Sequence, residues 1–252
     1  MTHRTLRVLA TPADVAAEAA RMVVEAAHQT LARRNRFALG LAGGATPAPL
    51  YRALGSTAFG SQIDWERVEL FFTDERCVAP DHPDSNHRMV HETLLDRLPT
   101  PPAAVHRMRG EIEPEAAAIE YGRMLKARFG EGGLDMVILG MGEDGHTASL
   151  FPNSAALAPS HHRCLANYVQ RLSAWRITMT APFLNRSLQV LVLVTGAAKA
   201  PRLRQVLDGP AEPQRLPIQL INPRRGKMTW LIDSAAAGHT GAFGLRCRKR
   251  PF

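Results

Sequence analysis

Long hydrophobic runs are missing from this 252-residue chain. The longest, at about residues 189–195, is far short of the roughly 20 residues a helix needs to cross a bilayer, so no membrane partner is expected. Residues 1–10 contain arginines but no apolar core leading to a small-residue cleavage site, and the expected location is the cytoplasm. Cysteine is scarce as well. Cys77, Cys164 and Cys247 are far apart and form no CxxC pair, which excludes a disulfide framework and the common zinc and redox motifs and fits a reducing compartment. His161-His162 and His82 with His87 have no third ligand at metal-site spacing, so no metal and no cofactor are expected. Internal repeats are absent, and so is low-complexity sequence beyond an enrichment in alanine. Charge is not concentrated: the formal net charge is +8, but the only dense basic run is Arg246, Arg248, Lys249 and Arg250. Scattered basic residues argue against nucleic acid as a partner and favour a small anionic substrate, whose local concentration a basic cleft raises.

The composition is that of an ordinary folded protein, 45% hydrophobic and 21% charged. Residues 1–244 read as one α/β domain, and residues 245–252 as a basic tail. Strand patterns at 5–9, 37–41, 68–72, 134–139, 176–180, 188–194 and 229–232 alternate with helical ones at 12–34, 47–54, 85–98 and 114–129. Pro-rich linkers at 98–103 and 209–217 do not divide the chain into self-sufficient halves. Strands separated by helices of this length imply a mainly parallel central sheet covered on both faces, with ligands bound beyond the carboxyl ends of the strands.

Three polar clusters lie at such ends. In Gly43-Gly44-Ala45-Thr46-Pro47 a strand gives way to a helix that begins at proline, with Thr46 expected as its N-cap. Free N–H groups there suit a phosphate, and no Gly-Lys-Thr follows to make it a Walker loop. In Thr73-Asp74-Glu75-Arg76 three consecutive charges cannot share one face of a strand, so at least one faces the cleft. A loop at 81–86 adds aspartates, Ser85 and Asn86. The third cluster runs from Gly140 to Pro152. Its glycines at 140, 142 and 145 fit GxGxxG, but the dinucleotide fingerprint wants an acidic residue about 20 positions on, where this chain has Ala166 and Asn167. Asp144 and His146 in a glycine turn instead suggest an exposed, oriented imidazole, a side chain suited to general base work.

These motifs resemble those of the 6-phosphogluconolactonases, relatives of the glucosamine-6-phosphate deaminases. The matches are GGATP at 43–47, TDERCV at 73–78, PDSN at 83–86, GMGEDGHTASLFP at 140–152, RITMT at 176–180 and the segment from Gly196 to Lys199. The resemblance implies a Rossmann-like three-layer α/β/α fold. It also implies a phosphorylated sugar lactone as substrate: 6-phospho-D-glucono-1,5-lactone would be hydrolysed to 6-phosphogluconate, the second step of the oxidative pentose phosphate pathway. Gly43, Gly44, Ala45, Thr46, Arg176 and Lys199 would hold the phosphate, with Ala45 standing where the family usually has serine. His146 would draw a proton from the attacking water, either Asp144 or Asp74 would orient the imidazole or the substrate, and either Arg76 or glycine-turn N–H groups would stabilise the oxyanion. The deaminase branch carries a glutamate five residues after the histidine and an aromatic residue after the aspartate-glutamate pair; this chain has Phe151 and Arg76. A non-catalytic sugar-phosphate sensor and a nucleic-acid module are the other readings. A monomer or small homo-oligomer is expected.

Overall fold

The computed structural model describes residues 3–223 and 225–238. The strands are β1 (His3–Leu9), β2 (Phe37–Leu41), β3 (Val68–Phe72), β4 (Asp74–Arg76), β5 (Ala104–His106), β6 (Met136–Gly140), β7 (Cys164–Val169), β8 (Ala174–Met179), β9 (Gln189–Val194) and β10 (Lys227–Asp233). The α-helices are α1 (Pro12–Leu31), α2 (Ala48–Leu54), α3 (Thr57–Gly60), α4 (Asn86–Thr93), α5 (Pro114–Phe129), α6 (Ala181–Leu184), α7 (Ala200–Asp208) and α8 (Ser234–Ala237). Seven strands form an all-parallel sheet in the order β1-β10-β9-β6-β2-β3-β5. All five residues of β2 and all five of β3 are buried, as strands covered on both faces must be. The architecture is the expected three-layer α/β/α fold.

Local chemistry explains the elements. α1 starts at Pro12 behind a capping box, in which Thr11 and Asp14 exchange side-chain and backbone bonds. Its buried stripe is mostly alanine and valine, from Val15 to Ala27, which lets it pack closely against α2 and β10. α5 also starts at proline, and Glu113 accepts from the Glu115 and Ala116 N–H groups. Within α5, Tyr121 is buried and its hydroxyl bonds to the Phe72 backbone at the end of β3.

A second sheet departs from the sequence expectation. β4, β8 and β7 form a three-stranded antiparallel ribbon, so the strand expected at 176–180 lies outside the parallel sheet. The helix expected at 85–98 ends at Thr93 and continues as a 3-10 turn, Leu95–Arg97. The basic tail at 245–252 lies outside the described residues. Among the described residues no helix is long and apolar enough to cross a membrane.

The strand order fixes where the site lies. From β2 the chain works outward through β3 to β5, then returns to β6 on the other side of β2 and proceeds through β9 to β10. The order reverses between β2 and β6, and the crevice at their carboxyl ends is where such a sheet binds ligands.

Candidate active site

The loop after β2 brings its N–H groups to that crevice. The backbone N–H groups of Gly43, Gly44, Ala45 and Thr46 donate to none of the described residues. Gly44 has φ +94°, and no atom lies within 4 Å of where its Cβ would stand, so the turn opens onto free space. Thr46 is not the N-cap: Pro47 takes that position, α2 begins at Ala48, and no side chain caps it. The hydrocarbon ring of Pro47 offers no acceptor to the first N–H groups of α2, and the hydroxyl of Thr46 makes no hydrogen bond to the helix.

Behind the loop a buried polar chain ties the three sequence clusters together. A Cβ on Gly43 would meet Asn86 Oδ1 at 1.8 Å, so only glycine fits there. Asn86 donates through Nδ2 to the Asp74 carbonyl at 2.9 Å. Asp74 in turn accepts from Ser149 Oγ at 2.6 Å, and the Ser149 N–H donates to Thr178 Oγ1 on β8 at 3.2 Å. The three charges of β4 separate by face. Asp74 and Arg76 share one face, while Glu75 points to the other and accepts from Ser85 Oγ and from the N–H groups of Asn86 and His87 at the start of α4. Burial pushes the Glu75 carboxyl above its usual range against the pull of those backbone N–H groups.

The loop after β6 carries the histidine. Asp144 Oδ1 lies 2.5 Å from His146 Nδ1 and also accepts from the His146 backbone N–H at 3.1 Å. A Cβ on Gly142 would stand 2.1 Å from Nδ1 and 2.6 Å from Asp144 Oδ1, so the pair fills the space that glycine leaves. The Phe151 ring packs on the imidazole with centroids 4.3 Å apart. Arg171, on the turn between β7 and β8, pairs with Asp144 Oδ2 at 2.6 Å and lies 5.0 Å over Phe151. Burial pushes the Asp144 carboxyl up, but the bonds from His146 and the charges of His146 and Arg171 outweigh it and hold it at about 2. His146 Nε2 makes no hydrogen bond among the described residues, and the side chain is 27% exposed.

Three cations stand apart from this pair. Arg76 and Arg176 face each other across β4 and β8; burial, and then the charge of Arg76, press the Arg176 guanidinium below its usual range. Arg76 donates to the Asp84 carbonyl. Lys199, after β9, lies 3.8 Å from Glu143 beside the histidine loop. Neither Arg176 nor Lys199 bonds to residues 43–46; Arg176 Nη1 donates to the Trp175 carbonyl at 3.0 Å. Sequence reasoning does not single out Asn86, Ser149 and Phe151 as site residues, although they lie within the matched motifs; Arg171 lies outside every motif and gives no signal. Among the described residues no group of three His, Cys, Asp or Glu side chains is placed to hold a metal ion.

Residues 10–230 match the family described as glucosamine-6-phosphate isomerases/6-phosphogluconolactonase. The chain belongs to that family. It is 35% identical over 239 residues to a 6-phosphogluconolactonase of a Nostoc species, covering 92% of this chain and 97% of the relative. It is 38% identical over 214 residues to a 6-phosphogluconolactonase of a Synechocystis species, covering 82% and 86%. The solved 6-phosphogluconolactonase of Trypanosoma brucei superposes with a TM-score of 0.81 at 28% identity, covering 94% of this chain and 98% of that one.

Proposed function

We propose that this chain is a 6-phosphogluconolactonase, hydrolysing 6-phospho-D-glucono-1,5-lactone to 6-phosphogluconate in the oxidative pentose phosphate pathway. The observation that carries the reading is the Asp144–His146 pair, closed at 2.5 Å through Nδ1 and leaving Nε2 unengaged at the crevice. A carboxylate on Nδ1 fixes the tautomer in which Nε2 accepts a proton. Asp144, not Asp74, therefore orients the imidazole; Asp74 is bound to Ser149 and holds the floor of the crevice beside the substrate.

The phosphate rests on the free N–H groups of residues 43–46, with Arg176 and Lys199 closing on it from the small sheet and from the segment after β9. Ala45 offers only its N–H where serine would add a hydroxyl. His146 Nε2 takes a proton from water, the oxygen of that water bonds to C1, and the carbonyl oxygen becomes an oxyanion. The N–H groups of Gly142 and Gly145 are already donated inside their own turn, and we assign the oxyanion to Arg76, whose guanidinium is anchored by the Asp84 carbonyl. Collapse of the intermediate breaks the bond from C1 to the ring oxygen, which takes the proton from His146 and leaves as the C5 hydroxyl.

Phe151 weighs against the deaminase branch, because a hydrocarbon ring packed on the imidazole occupies the place of that branch's glutamate. Action in the reducing cytoplasm fits the thiols of Cys77 and Cys164, both of which are free. The test is hydrolysis of freshly made 6-phosphogluconolactone above its spontaneous rate, with the unphosphorylated lactone and His146→Ala alongside. We expect fast turnover of the phosphorylated substrate only, and a loss of at least about 10²-fold in kcat for the variant. A wild-type rate equal to background would leave only a sugar-phosphate binder.

A further inference from the structure

The β7–β8 hairpin brings to the histidine loop a cation that no motif anticipates. Its tip, the 3-10 turn Gln170–Leu172 followed by Ser173 at φ +46°, holds Arg171 against the outer oxygen of Asp144. The contacts close a ring: Arg171 to Asp144 Oδ2 at 2.6 Å, Asp144 Oδ1 to His146 Nδ1 at 2.5 Å, imidazole to Phe151 at 4.3 Å, and Phe151 under the guanidinium at 5.0 Å. The arginine is about half exposed, so its role is not to hold a core together.

We infer that Arg171 is a positioning residue, which sets both the orientation and the protonation of His146 through their shared partner Asp144. The inference rests on the reading of His146 as the base. His146 holds Oδ1 through its ring and its backbone N–H, and the ion pair with Arg171 engages the second oxygen, so the carboxylate is held at both ends. The same grip has an electrostatic cost. A guanidinium beside the carboxylate offsets part of the negative charge that the imidazole faces. Other charges near the loop are already committed: Glu143 pairs with Lys199, and Arg202 on α7 donates to the Glu143 carbonyl. Among the described residues, Arg171 is the arginine or lysine that meets the dyad carboxylate directly.

Arg171→Met removes the charge and keeps an apolar stem over Phe151; Arg171→Lys keeps the charge and loses the planar fork. Two measurements read them. One is NMR titration of the His146 ring, identified among the ten histidines by the signal lost in His146→Gln. The other is the acid limb of kcat/KM after subtraction of spontaneous hydrolysis. In Arg171→Met both midpoints should rise by about half to one pH unit, the effect of removing a unit charge roughly 6 Å away across a half-wet site. In Arg171→Lys both should stay near wild type while the plateau kcat falls several-fold. An unchanged ring midpoint in Arg171→Met, or an equal rise in Arg171→Lys, would overturn the inference. A ring midpoint that moves without the kinetic limb would support the coupling and remove His146 from the role of base.

Discussion

At Gly142 a single methyl group decides whether the dyad can form. Alanine there would put Cβ 2.1 Å from His146 Nδ1 and 2.2 Å from Cε1, and Phe151 is already packed on the ring, so the imidazole must move. For Gly142→Ala we expect kcat to fall about 10²-fold, the usual result of displacing a catalytic group by about 1 Å. KM should change little, because the phosphate contacts we propose lie on other loops. Circular dichroism should match wild type, while the unfolding midpoint falls by the part of the Asp144–His146 bond that is lost; a variant with normal kcat would show that the dyad geometry is not needed. The carboxylate itself adds no titration near neutrality. With its pKa depressed from 3.8 to about 2, Asp144 contributes its stabilisation fully above the ordinary carboxylate range and loses it only as pH falls through about 2. Residues of this kind are partly legible in the sequence. Asp144 and His146 stand out because glycines surround them. Arg171 does not, because it reaches Asp144 through a hairpin whose first strand carries no continuous apolar run.

Among the elements, α4 depends on a side chain from a different sheet. Glu75 on β4 spreads its two oxygens over the Asn86 N–H at 2.7 Å, the His87 N–H at 2.8 Å and the Ser85 hydroxyl at 3.2 Å, a negative charge at a helix N-terminus. Glu75→Gln turns one acceptor into an NH2 group that faces donors. The expected destabilisation is about 1–3 kcal/mol by denaturant unfolding, together with a higher KM as Asn86 loosens against the phosphate loop. Unchanged stability would mean that water replaces the carboxylate. Element boundaries follow the strength of their signals. β2, β3 and α5 begin and end at the expected residues, because their apolar or amphipathic patterns stop at turn residues and proline. β4 and β5 have three residues each and β7 alternates burial irregularly, so no periodicity reveals them. α7 gives little sign of itself because it is short, follows a 3-10 turn and has only Leu203 and Val206 buried.

The pairing of β2 with β6, which creates the crevice, joins residues about a hundred positions apart and leaves no local trace in one sequence. What the whole chain does make legible is its charge. A net +8 spread along the chain should act on an approaching sugar phosphate as a field, and a field is screened by salt. The Debye length shrinks from about 10 Å at 0.1 M to about 3 Å at 1 M. Across that range kcat/KM for the phosphorylated lactone should fall on the order of ten-fold, while the residual rate on the unphosphorylated lactone stays flat. Four of the basic residues, Arg246, Arg248, Lys249 and Arg250, belong to the tail, and changing all four to glutamine removes their charge while keeping the chain length. If the salt dependence survives that change, the attracting charge is the cleft's own, from Arg76, Arg176 and Lys199. If it disappears, the tail is the source, and the crevice binds its phosphate through hydrogen bonds after an encounter steered from outside.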